Sequence, residues 1–181
     1  MKIFKKIYQR LLSYILTFIL KVNNEGFEVN GIFRGRIDTQ IIIQESGKIE
    51  LGKNVSFQRN VSISSIGGHL KIGSRVSFNR NCIIVCHKEI TIKDDVIFGP
   101  GVTIYDHDHK FSEKGILPGY KYGPIIIEEG CWIASNVMIL RNTRIGEGSV
   151  IGAGAIVQGD IPPHSLVISD RKLSINTIRK K

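Results

Sequence analysis

Alanine is almost missing from this chain, with three in 181 residues against 32 isoleucines and 12 valines. Alanine leads the helix-propensity scale and β-branched residues prefer extended chain, so a mostly helical fold is excluded. Only five prolines accompany the nineteen glycines, with no Gly-X-Y period, which excludes collagen. Apolar residues at 42% and charged residues at 23% exclude a disordered chain. Cysteine is scarce and odd in number, at positions 82, 86 and 131. That is no disulfide framework and fits a reducing, cytoplasmic setting. Cys82, Cys86 and His87 lack the second Cys or His pair that would complete four metal ligands. No segment reaches the roughly 18 to 20 uninterrupted apolar residues that span a bilayer. The length suits one domain with a small appendage.

Acidic residues are absent from both ends. Residues 1–22 hold Lys2, Lys5, Lys6, Arg10 and Lys21, and residues 171–181 hold Arg171, Lys172, Arg179, Lys180 and Lys181, with no acid in either stretch. The body between them has 15 basic and 16 acidic residues, so it lacks the basic face expected of a nucleic-acid binder. Basic ends suit membrane phospholipid or a phosphorylated ligand as well as they suit nucleic acid. Leu11 to Leu20 (LLSYILTFIL) follows a basic start, but KVNNEGF comes next in place of a small-residue cleavage site, which argues against a signal peptide. Two readings stand side by side for residues 1–22. They form a helix lying on the inner face of the cytoplasmic membrane, or one that packs on the body and covers the end of its core. The expected organisation is a basic amphipathic helix over 1–24, a single body over 25–168 and a basic tail over 169–181.

A six-residue period sets the fold. Ile127, Ile133, Ile139, Ile145, Ile151 and Val157 recur without a break, and four residues after the first five come Cys131, Val137, Thr143, Ser149 and Ala155. The same register runs through Leu51, Phe57 and Ile63, then Ile72, Phe78 and Ile84, then Ile92, Phe98 and Ile104. Period six fits neither a helix nor alternating hairpin strands. It predicts an all-β solenoid of triangular coils, three hexapeptides each, in which every coil buries its interior by stacking on the next. Turn residues such as Gly52, Gly73, Asp94-Asp95, Gly99-Pro100-Gly101, Gly130 and Gly148 fall where corners are needed. Between Ile104 and Ile127 the period breaks for YDHDHKFSEKGILPGYKYGP, residues 105–124. An irregular loop of that length in a compact domain is usually functional. Its Asp-His-Asp-His run has ligand types that suit zinc, although no metal is expected.

Over residues 45–168 the chain resembles the hexapeptide-repeat acyltransferases, and most closely the maltose/galactoside-type O-acetyltransferases and relatives that acetylate surface-polysaccharide sugars. The resemblance rests on NCIIVCHKEITIKDDVIFGPGVTIYDHDH (81–109) and CWIASNVMILRNTRIGEGSVIGAGAIVQGDIPPHS (131–165). It implies a left-handed parallel β-helix, a homotrimer with sites between subunits, acetyl-CoA as co-substrate and a saccharide acceptor, which the basic helix would allow to be lipid-linked. Transfer to an amino sugar and a non-catalytic binding scaffold are the alternatives. The implied general base is His109, with His107 as its rival and Asp106 or Asp108 holding the imidazole tautomer. Donor contacts are implied for Ala134, Ser135, Ala153, Gly154 and Gln158, with Ser135 beside the thioester. Trp132 is expected to face outward, because Cys131 and Ile133 take the inward slots, and to form a wall of the cleft on the donor side. The tail departs from the family pattern: Val157-Gln158-Gly159-Asp160 stands where relatives often read V-T-K-D, and Val167 to Lys172 replaces G-x-P-A-K/R. Arg171 and Lys172 are then the substitutes for CoA phosphate contacts. Asn81 matches an acceptor-binding position, and Cys86 stands where an acidic partner would, which points to a different saccharide.

Overall fold

The structure, a computed structural model, describes residues 2–170. One helix, Lys2–Asn23, precedes a parallel β-solenoid of about six coils. Each coil has three short strands, and corresponding strands of successive coils pair in parallel to make three flat faces. The first face stacks Phe27–Val29, Lys48–Leu51, His69–Ile72, Glu89–Ile92 and Ile125–Ile127. The second carries Gln40–Gln44, Ser62–Ile66, Ile83–Cys86 and Thr103–Tyr105. The third carries Ser56–Phe57, Ser77–Phe78, Ile97–Phe98, Trp132–Ile133, Val150–Ile151 and Leu166–Val167. Met138–Ile145 and Ile156–Ile161 each pass a corner, with a register shift where they leave the second face for the first.

The hexad residues build the core. Ile127, Ile133, Ile139, Ile145 and Ile151 are fully buried, as are the companion positions Val55, Val61, Val76, Val96 and Val137. Paired registers stack like on like, so an inward residue meets its counterpart one coil away. Phe57, Phe78 and Phe98 form a column with ring centroids 5.2 and 4.6 Å apart. The corners need left-handed backbone, which asparagine tolerates better than most residues other than glycine. Asn60, Asn81, Gly101, Asn136 and Gly154 stack along the edge between the third and second faces, all with φ between 55° and 72°. At this edge backbones nearly touch: a Cβ on Gly99 would lie 2.7 Å from the Ser135 nitrogen.

Residues 105–124 are ordered, in contrast to the expected irregular loop. His107–Ser112 and Gly115–Tyr122 pair as an antiparallel hairpin that leaves the solenoid at the edge between the second and first faces. The helix rests on the first coils through buried Ser13 and Thr17, with Leu16 and Leu20 against the core. No helix among the described residues is long and apolar enough to cross a membrane.

Candidate active site

The base of the hairpin is built around one enclosed carboxylate. Asp106 follows the strand Thr103–Tyr105 and turns its side chain inward, fully buried. Its Oδ1 accepts the His87 amide at 2.9 Å, and its Oδ2 accepts the amides of Lys88 at 2.7 Å and Glu89 at 2.9 Å. These amides belong to the turn one coil below, so the carboxylate fastens the hairpin to the solenoid. The Cys86 thiol donates to Oδ2 from beneath at 3.6 Å. His107 Nδ1 lies 3.2 Å from Oδ1. A carboxylate only accepts, so this contact places the proton on Nδ1 and leaves the lone pair on Nε2.

Strand alternation puts His107 and His109 on one face of the hairpin, opposite Tyr122 and Tyr120. The His107 ring is 4.1 Å from His87 and 5.1 Å from Tyr120, and only 14% of its side chain is exposed. His109 is exposed and its ring is 4.8 Å from Tyr120. Burial, then the neighbouring His107, lowers the His87 pKa below the usual imidazole value, which favours a neutral ring. Asp108, on the other face, is engaged by Arg141 Nε at 2.5 Å, which ties the hairpin to the coil above. Four of these residues were not singled out as part of this site in the sequence: His87, Tyr120, Tyr122 and Arg141. The 20-residue offset between the coils places position 87 beneath 107, and that spacing is the signal that could have found it.

The other expected residues lie elsewhere. Ala134, Ser135, Ala153 and Gly154 occupy the edge between the third and second faces. The Ser135 carbonyl accepts the Gly154 amide at 2.8 Å. Asn81 sits on that same edge two coils earlier, and its Oδ1 accepts from Asn60 Nδ2 at 3.3 Å. Trp132 stands outward on the third face, 52% exposed, between Ile97 and Val150. Gln158 is exposed and donates to the Arg141 carbonyl at 3.4 Å. Cys86 requires a correction: it is wholly buried and supports the hairpin from below, so it cannot touch an acceptor. Arg171 and Lys172 lie outside the described residues. Within one protomer the segment 136–141 separates Ser135 from the hairpin base, roughly 20 Å at 3.3 Å per residue. The structure therefore brings together the imidazoles, and separately the small-residue edge, without joining them. Among the described residues no group of three or more His, Cys, Asp and Glu side chains is placed to hold a metal.

Comparison with known proteins gives the class. Residues 124–159 match the bacterial transferase hexapeptide (six repeats) model. A galactoside O-acetyltransferase of Lactococcus lactis is 35% identical over 114 residues, covering 62% of this chain and 55% of the relative. A hexapeptide-repeat-containing acetyltransferase from Vibrio cholerae superposes with a TM-score of 0.55 at 28% identity, over 64% of this chain and 66% of that one. It has also been solved with acetyl-coenzyme A. An N-acyltransferase from Bacillus cereus, solved with a dTDP-amino sugar and coenzyme A, superposes with a TM-score of 0.65 at 20% identity over 87% of this chain and 89% of that one. At that identity it bears on the fold alone. The chain carries the hexapeptide repeat of bacterial transferases, and its fold is the left-handed parallel β-helix of the hexapeptide-repeat acetyltransferases. It spans about half the length of the curated relatives it matches.

Proposed function

We propose that this chain transfers the acetyl group of acetyl-CoA to a hydroxyl of a saccharide, in the building of surface polysaccharide or lipopolysaccharide, as a homotrimer with its sites between subunits. The observation that carries the reading is the hairpin base, where a buried carboxylate fixes one imidazole and a second stands exposed beside it. The transferase repeat, the galactoside O-acetyltransferase relative and the acetyl-CoA complex of the Vibrio protein support the donor and the reaction.

His109 is the general base. It is the more accessible imidazole, whereas the His107 ring is enclosed by His87 and Tyr120. As the acceptor oxygen bonds to the thioester carbonyl carbon, His109 takes the hydroxyl proton. Collapse of the tetrahedral intermediate breaks the C–S bond, and the protonated imidazole returns its proton to the CoA thiolate. His107, held by Asp106, is a positioning residue that stiffens the hairpin. The small-residue edge at Ala134, Ser135, Ala153 and Gly154 offers backbone groups to the pantetheine arm of a donor bound beside a neighbouring hairpin, with Ser135 near the oxyanion and Trp132 as a wall. Gln158, Arg171 and Lys172 are assigned to the donor, and Asn81 to the acceptor. The hairpin tip exposes Phe111, Ile116 and Leu117, apolar surface that a neighbouring copy would cover.

Thiol release from acetyl-CoA across a panel of sugars, amino sugars and lipid-linked sugars tests the reaction. Turnover on hydroxyl acceptors is expected. Turnover confined to amino sugars would show N-acyl transfer, and none on any acceptor would show a non-catalytic scaffold. His109→Ala is expected to lower kcat by about 10²–10⁴-fold. A near-parental rate would move the base to His107. The shared site has its own test. His109→Ala and Ala153→Arg protomers are each expected to be inactive alone. Mixed in equal amounts into trimers, they place an intact hairpin beside an intact edge in about one quarter of interfaces. Activity near one quarter of the parent is expected, and none would place the whole site in one protomer.

A further inference from the structure

The helix Lys2–Asn23 turns most of its large apolar side chains away from the protein. Ser13 and Thr17 are buried against the first coils. Their hydroxyls are satisfied within the helix, Ser13 donating to the Gln9 carbonyl at 2.9 Å and Thr17 to the Ser13 carbonyl at 2.8 Å. Ser13 and Thr17, with the partly buried Leu16 and Leu20, therefore make the contact with the body. Phe4, Ile7, Tyr8, Leu11, Tyr14, Ile15, Phe18, Ile19 and Val22 are all exposed, Phe4 by 80%, Phe18 by 69% and Leu11 by 58%. At 100° per residue these nine fall within an arc of about 140°, centred opposite the buried face. The exposed Arg10 and Lys21 border the stripe on one side.

We infer that this stripe binds the surface of an anionic phospholipid bilayer, holding the solenoid at the membrane with the helix lying in the interface. Charge selects this occupant. The segment 1–22 carries five basic residues and no acid, so anionic headgroups neutralise what the helix of a second copy would repel. The apolar arc is broad, the exposed polar residues along one side of it are cationic, and the segment holds no acid, the combination that inserts shallowly among acyl chains. The helix does not meet the length and hydropathy needed to cross. A surface-bound enzyme would meet acceptors presented on lipid carriers, but the inference stands without the acyl-transfer reading.

Sedimentation of the full chain with vesicles of phosphatidylglycerol and phosphatidylcholine (30:70), or of phosphatidylcholine alone, tests it. Binding is expected on the anionic vesicles, weakened in 0.5 M salt, with little on the neutral ones. The double variant Leu11→Ser/Phe18→Ser changes only exposed side chains, and its unfolding midpoint is expected to match the parent. Its partitioning is expected to fall at least about tenfold, because two large apolar groups leave the inserted face. Its thiol release with soluble acceptors is expected to stay unchanged, so the two proposals fail separately. No binding to anionic vesicles, or equal binding by parent and variant, would overturn the inference. So would concentration-dependent self-association of the parent that the variant loses, which would make the stripe a contact between copies.

Discussion

Asp106→Asn probes how the hairpin is held. The carboxylate is fully enclosed, and its surroundings are all donors: His87 N–H and His107 Nδ1 toward one oxygen, Lys88 and Glu89 N–H and the Cys86 thiol toward the other. Asparagine offers one acceptor oxygen and one NH₂. With its oxygen toward Lys88 and Glu89, the NH₂ faces the His87 amide and leaves one buried N–H unsatisfied. Turned round, it opposes two. The first orientation costs less. Two charge-assisted bonds become neutral, a loss of about 1 kcal/mol each, and the orphaned amide costs about 1–3 kcal/mol more. Removing a buried charge offsets part of this. The net destabilisation is about 2–4 kcal/mol, and at ~2–4 °C per kcal/mol for a chain of this size the midpoint falls by roughly 5–15 °C.

The same substitution carries a second signature. The carboxamide NH₂ donates to His107 Nδ1, so the imidazole proton moves to Nε2. Calorimetry reads the midpoint, amide hydrogen exchange reads the loosened turn at 87–89, and ¹⁵N chemical shifts of the His107 ring read the tautomer. A midpoint within about 2 °C of the parent, with exchange and tautomer unchanged, would refute this account of the hairpin.

The remaining predictions are simpler. Phe78→Ala removes the middle ring of the aromatic column and is expected to cost about 3–5 kcal/mol, read as a fall in the thermal midpoint with Phe78→Leu intermediate. His87 has a lowered pKa in the fold, beside His107, His109, Asp106 and Glu45. The unfolded chain therefore binds a proton that the folded ring refuses, so stability is full above about pH 6.5 and declines as pH falls below it. His87→Asn is expected to flatten that decline in denaturant titrations at pH 5 to 7.5. Burial pushes the Cys82 thiol up to about 11 and raises Cys86 and Cys131 too, so native protein at pH 8 is expected to resist iodoacetamide at all three, with labelling only after unfolding.

Regular features of the fold were legible because the repeat writes them in one dimension. Ile127 to Val157 at six-residue steps names the inward residues outright, and each is buried. Corners were legible where glycine marks them and hidden where asparagine does. Asn54, Asn60, Asn81 and Asn136 all hold left-handed backbone, and Asn81 drew attention as a ligand residue instead. The hairpin was hidden because its strands are mostly exposed and lack clean alternation, its turn Glu113-Lys114 is not a usual hairpin pair, and Pro118 and Gly119 interrupt the second strand. The amide partners of Asp106 stand 17 to 19 residues away in sequence and the Arg141 partner of Asp108 stands 33 away, so only coil stacking reveals them.

That stacking also constrains the proposed chemistry. The parallel ladders run through every coil, so the three edges of the prism cannot slide relative to one another without breaking rows of main-chain hydrogen bonds. A base on the edge between the second and first faces therefore cannot swing to a donor held along Ser135 and Ala153 on the next edge. Either the donor lies elsewhere or a second copy supplies the missing edge. Among the described residues the hairpin is the one element between the coils that projects from the prism, and it is pinned at its root by Asp106 and by the Asp108–Arg141 pair. A projecting arm held stiff at its root suits the second possibility, because it can present an imidazole to a neighbour without loosening the coil that carries it. This is why activity of mixed His109→Ala and Ala153→Arg trimers, rather than the loss caused by either substitution alone, decides how the site is assembled.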